Sequence, residues 1–204
     1  MIVLLPPSET KRPDGDGPPL NLRGLSTPAL GELREALVDE LVELAADPGA
    51  SRAALGISAS QDAEITRNAQ LRSSPTLPGI DRYTGVLYDA LDVGSLRGAA
   101  AVRARHRLAV GSALFGLVRA DDQIPAYRLS ATSKLPGGST LASRWRPVLE
   151  PALAAIADDD LVRLVAPGGR VIDAPAAPLK AIARALLDLL SDPRRREGPL
   201  TLAG

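Results

Sequence analysis

The chain has 204 residues, with 24 Lys+Arg balanced by 24 Asp+Glu, no cysteine, one histidine and five aromatic residues. This balance excludes disulfides, thiolate nucleophiles and cysteine-ligated metals, and His106 alone cannot furnish a zinc or haem site. Zero net charge gives no global field toward polyanions, while 45% hydrophobic and 24% charged residues are ordinary for a globular chain. All cations but Lys11, Lys134 and Lys180 are arginine, the side chain suited to bidentate phosphate or carboxylate contact, although a GC-rich genome also favours it.

Met1–Leu5 is a continuous apolar run closed by Pro6-Pro7 and reads as a buried strand. It is too short for a membrane span and lacks the basic start of a signal peptide, so a cytoplasmic protein is expected, with no membrane partner. Pro6 to Pro19 is a long loop of the kind that carries function. Thr27-Pro28 opens a helix with Leu30, Leu33, Leu37, Leu41 and Leu44 on one face, ended by Asp47-Pro48-Gly49. Its other face, Glu32, Glu35, Asp39, Glu40 and Glu43 with Arg34, is expected to lie in solvent. Ser51–Leu55 predicts a single helical turn stopped by Gly56, and Ser58 with Gln61 forms a capping box for a helix running to about Leu71. The pair suggests a helix-hairpin-helix corner that offers backbone N–H groups to phosphate; an ordinary two-helix corner is the plainer alternative.

Ser73–Pro78 reads as a linker, and Tyr83–Leu91 as extended at first, then helical. Ser95–Arg107 predicts a helix with an arginine-rich end, Leu108–Val118 a buried strand leading into a turn, and Tyr127–Leu129 a further strand. Ser139 is expected to cap a helix holding Trp145, Leu149 and Leu153, shortened or bent by Pro147 and Pro151. Leu161–Val165 and Val171–Ile172 are strand candidates, Leu179–Leu190 a helix, and Arg194–Gly204 a frayed tail. Strands separated by helices point to a mixed α/β sheet flanked by helices, in a single domain over 1–204.

No phosphate cradle, dinucleotide fingerprint, nucleophile elbow or zinc motif occurs. Asp121-Asp122 between Arg119 and Arg128 could form an ion-pair network or a site for a phosphorylated ligand.

Four stretches together resemble one family. Met1-Ile-Val-Leu-Leu-Pro-Pro-Ser-Glu-Thr-Lys11 resembles the "LLSPAKT" segment of the YaaA peroxide stress response proteins, and Arg82-Tyr-Thr-Gly-Val-Leu-Tyr88 resembles their "GDVYTGL". Leu108–Leu129 is similar to the signature "LSGLYGLLRPLDLIQPYRL", and Ser133-Lys-Leu135 and Trp145 follow in step. Leu55–Ser58 falls at the family's "ISDKLA" stretch. The family's lysine in "SPAKT" falls at Glu9, with Lys11 two residues on, and the proline of "LRPLD" is Ala120. The likeness covers about Met1–Leu153 and fades after Ala157.

The resemblance implies a cytoplasmic mixed α/β protein that lowers peroxide damage by limiting free iron and binds duplex DNA through a basic cleft near a helix-hairpin-helix. On that reading Lys11, Arg12, Arg119, Arg128 and Lys134 contact phosphates and Gly56 presents N–H groups, with no cofactor, no metal and no catalytic residue. The alternative is an enzyme or small-anion binder whose cleft also gathers Ser8, Thr10, Tyr83, Thr84, Asp122 and Tyr127, since ligands of open α/β sheets bind beyond the strand ends. An extended basic groove would favour the first reading, an enclosed polar cleft the second.

Overall fold

A computed structural model describes residues 2–159, 162–165 and 171–174 of the chain, with side chains through residue 156. The elements begin with β1 (Ile2–Leu5), β2 (Gly17–Pro19), α1 (Gly31–Leu44), α2 (Pro48–Leu55), α3 (Asp62–Ala69), β3 (Pro75–Pro78) and α4 (Gly79–Arg82). They continue with α5 (Val86–Leu91), α6 (Gly98–Arg107), β4 (Leu108–Ser112), β5 (Gly116–Arg119), β6 (Gln123–Ile124), α7 (Leu141–Asp159), β7 (Val162–Val165) and β8 (Val171–Ala174).

The fold is mixed α/β, with two sheets among the described residues. The larger has the order β5-β4-β1-β7-β8, with β4, β1 and β7 parallel and antiparallel strands at both edges. Burial on both faces is why β1 and β4 read as unbroken apolar runs. The smaller sheet, β2-β3-β6, is antiparallel. One contiguous core cluster joins Leu4, Leu37, Leu41, Val110, Phe115, Trp145 and Leu149. No described helix is long and apolar enough to cross a membrane.

Several expectations are corrected. Within the expected Ser73–Pro78 linker, Pro75–Pro78 form strand β3, because Thr76 and Leu77 are buried and its pairing uses short stretches around the prolines. The expected Leu108–Val118 strand is a β4–β5 hairpin, turned at Ala113–Phe115. Tyr127–Leu129 is not a strand. The single turn at Ser51–Leu55 is a two-turn helix, because the Asp47 carboxylate accepts from the N–H groups of Gly49 and Ala50.

Arg34 is not on a solvated face: it is fully buried and donates to the carbonyl oxygens of Phe115, Leu117, Ser26 and Thr27. Nor does the acidic face of α1 stand alone, since Arg72 binds Glu35 and Asp39 while Arg144 of α7 binds Glu40. Helix α7 runs through both prolines. Ser143 and Pro147, whose carbonyls lose their intrahelical partners, lie on the exposed face, so water can replace those bonds. The Leu179–Leu190 helix and the tail from Arg194 lie outside the described residues.

Candidate functional site

The loop after β1 folds back on the segment after α4. Residues 10–12 lie antiparallel to 82–84: Lys11 bridges Tyr83, Arg12 N–H donates to Arg82 O, and Thr84 N–H to Thr10 O. Beneath them the buried Arg82 guanidinium donates to the carbonyls of Arg12, Asp14, Pro75 and Ile124, tying the loop to the small sheet. Burial drops the Arg82 guanidinium to about 10.

This clasp sets Lys11 at the carboxyl ends of β1 and β4. The Tyr88 hydroxyl donates to Pro6 O just past β1, and the Tyr127 hydroxyl shares a 2.8 Å hydrogen bond with Ser112 Oγ at the end of β4. Tyr127 and Tyr83 hydroxyls are 2.9 Å apart. Lys11 Nζ lies 4.1 Å from the Tyr127 ring centroid and 5.3 Å from that of Tyr83, and donates to Ser8 O at 3.0 Å. Arg128 enters from the other side, paired with the exposed Glu9 at 3.1 Å, its main chain held by both amide atoms of Asn68. Its Nε is buried without a hydrogen-bond partner.

Burial lowers the Lys11 ammonium from 10.5 to about 7, Arg128 and Arg82 add to the fall, and Glu64 and Glu9 oppose it. Burial also raises the hydroxyls of Tyr83 and Tyr127, the latter well above 10. Both tyrosines therefore stay neutral proton donors at physiological pH.

A lysine that is more easily deprotonated when folded releases its proton on folding between pH 7 and 10.5. Stability must climb with pH across that window, because the unfolded chain then holds the extra proton. We expect the unfolding free energy of the native protein, relative to Lys11→Met, to rise from pH 7 to 9.5 in urea titrations. A flat difference would show that the amine is not enclosed.

The expected residues divide. Lys11, Arg128, Tyr83 and Tyr127 meet, and Ser8, Thr10 and Thr84 surround them through Oγ–Oγ1 and Oγ1–carbonyl bonds. Arg12 points away to Asp14. Arg119 is elsewhere, its guanidinium on the His106 carbonyl. Asp122 is buried under the loop before α1, accepting from the N–H groups of Ser26 and Arg119. Asp121 pairs with Arg105 instead, so the expected four-residue network does not form.

At the α2–α3 corner, Gly56 is left-handed, with φ of 65°. The N–H groups of Gly56 and Ile57 both donate to Arg52 O, and that of Ser58 to Gln61 Oε1. These groups are spent within the protein, so the corner does not present them to phosphate as a helix-hairpin-helix would. Lys134 is exposed beside this corner, its N–H bonded to Ala54 O at 2.8 Å. Sequence reasoning did not name Ser112, Tyr88, Asn68 or Arg82 as site residues. Arg82 and Tyr88 delimit one of the family-like segments and Ser112 lies in another, a hydroxyl ending an apolar run, whereas Asn68 carried no signal.

The fold and this cluster define a mixed α/β protein with cations and tyrosines gathered where its parallel strands end. Residues 1–168 match the family described as peroxide stress protein YaaA. The chain belongs to that family. It is 48% identical over 166 residues to a UPF0246 protein of Corynebacterium efficiens, covering 79% of this chain and 64% of that relative. It is 47% identical over 163 residues to one of Streptomyces coelicolor, covering 79% and 63%. A Shewanella loihica relative is 30% identical over 175 residues, covering 80% and 66%. The chain thus spans less than two thirds of the length of these curated relatives.

Proposed function

We propose that this protein acts in the response to peroxide by holding duplex DNA, and so limits damage linked to intracellular iron. One observation carries the DNA part: the segment 128–134 is moored along α2 and α3, Arg128 on Asn68 and Lys134 on Ala54. This mooring supports a reading in which Lys11, Arg128 and Lys134 form one strip toward the duplex backbone. Family membership supports the peroxide part.

Arg12 and Arg119 stand outside this strip, so few phosphates are neutralised. With two or three contacts the log–log salt slope should be about −2 to −3, at roughly −0.9 per phosphate. An electrophoretic shift of duplex DNA between 50 and 200 mM salt measures it, the salt range being chosen to span roughly physiological conditions. The double variant Arg128→Ala, Lys134→Ala should weaken binding at least about tenfold. Binding that ignores salt, or that survives the double variant, would remove the reading. Loosely bound iron measured in peroxide-treated cells with and without the protein tests the iron link.

A second reading, a small-anion site, is favoured by a separate observation. The Arg128 guanidinium has an unpartnered buried nitrogen next to an enclosed amine, an arrangement that a compact phosphate or carboxylate would complete.

A further inference from the structure

We propose that Lys11 is a covalent nucleophile for aldehydes that carry a phosphate, forming an imine while Arg128 holds the phosphate. The proposal rests on the small-anion reading and goes beyond it in assigning chemistry.

Geometry sets Lys11 apart. Its Nζ is packed on the faces of two tyrosines and donates to main-chain oxygens, and no described carboxylate lies within ion-pair distance. By contrast Arg12, Arg52, Arg72, Arg105 and Arg144 each hold a carboxylate. The charged and titratable groups around the amine are Glu9, Glu64, Arg128 and Arg82, with Tyr83 and Tyr127. Lys11 also keeps partial solvent exposure, and Glu9 and Thr10 beside it are exposed, so a small carbonyl compound can reach it. At pH 7 about half of this amine is free base, whereas an ordinary exposed lysine has well under about one part in a thousand.

The amine lone pair forms the C–N bond as the carbonyl π pair moves to oxygen. That oxygen leaves as water with the two amine protons, giving C=N with no oxidant or reductant. The hydroxyls of Tyr83, Tyr127 and Ser112 share two hydrogen bonds among three protons, which leaves one O–H of this neutral trio to donate to the departing oxygen. The shared chemistry, an aldehyde with a nearby phosphate, occurs both in free sugar phosphates and in the ring-opened sugar of an abasic site in DNA.

The test uses the native protein at pH 7 with sodium cyanoborohydride, which fixes an imine as a stable amine. Glyceraldehyde 3-phosphate and glyceraldehyde are compared, with peptide mass spectrometry at Lys11 and at Lys134, an exposed lysine in the same chain. With the phosphorylated aldehyde Lys11 should be modified at least about tenfold faster than Lys134. That lead should shrink several-fold with glyceraldehyde or in Arg128→Ala, and Lys11→Arg should abolish the adduct. Equal rates at the two lysines, or an unmodified Lys11, would overturn the proposal.

Calorimetric titration with inorganic phosphate separates the two levels. Phosphate binding without an adduct refutes the imine alone, and neither one refutes the small-anion reading as well. A duplex carrying one abasic site identifies the source. Reductive cross-linking to Lys11 indicates a nucleic-acid carbonyl, and its absence beside strong labelling by glyceraldehyde 3-phosphate indicates a free sugar phosphate.

Discussion

Replacing Arg34 with methionine should cost about 3–5 kcal/mol of folding stability, read from urea or guanidinium unfolding. The guanidinium is fully buried and donates at 2.9 Å to Phe115 O, 2.7 Å to Leu117 O and 2.8 Å to Ser26 O, with a longer bond to Thr27 O. It therefore joins the β4–β5 hairpin to the entry of α1. Burial holds its acidity constant down to about 10, a sign of the desolvation that methionine would relieve. The relief is smaller than the loss, because each buried carbonyl left without a donor costs about 1–3 kcal/mol. Lysine at this position keeps the charge but cannot span both sides of the fork, so Arg34→Lys should also destabilise, by less. A loss below about 1 kcal/mol in Arg34→Met would show that water or neighbouring N–H groups already satisfy these carbonyls.

Gly116→Ala should be the next most damaging change, at about 2–4 kcal/mol. Gly116 has φ of 72°, where an L side chain costs about 1–2 kcal/mol. A Cβ there would also meet Trp145 Cζ3 at 2.7 Å, and the ring cannot retreat. Trp145 is fully buried and its Nε1 donates to Ala113 O at 2.9 Å. Gly137→Ala supplies the control, since φ there is 88° but no atom lies within 4 Å of the added Cβ. The difference between the two variants in thermal unfolding isolates the collision from the backbone strain. Equal losses would mean that Trp145 moves aside.

Much of the architecture was readable because apolar runs and caps are local signals. Ile2–Leu5 and Leu108–Ser112 announce themselves as buried apolar runs, the first closed by Pro6-Pro7, and α1 by its leucine period between Pro28 and Pro48. The β4–β5 turn was hidden inside one apolar run, since a hairpin whose turn residues Ala113, Leu114 and Phe115 are buried lacks the usual polar punctuation. Arg34 was misplaced for a related reason. Helical spacing gives a residue's direction but not whether carbonyls from Ser26 to Leu117 wait there to receive it. At the site, the motifs holding Lys11, Tyr83, Tyr127 and Arg128 were visible, yet their meeting depends on contacts between segments far apart in sequence. Arg119 and Asp122 belonged to the same motif and diverge, because Asp122 faces main-chain N–H groups and Arg119 faces the end of α6.

The strand β1 has consequences for how the molecule assembles. Val3 pairs with Leu108 and Ile2 with Val162, so the central strand is synthesised long before either neighbour exists. At about 5–20 residues per second on the ribosome, this apolar tetrapeptide waits several seconds without a sheet to join. Distant parallel pairings also close slowly, because large loops must be ordered before any ladder rewards them. Nascent copies of this chain therefore pass through a stage in which a sticky β-forming segment is open to chaperones and to other unfinished chains.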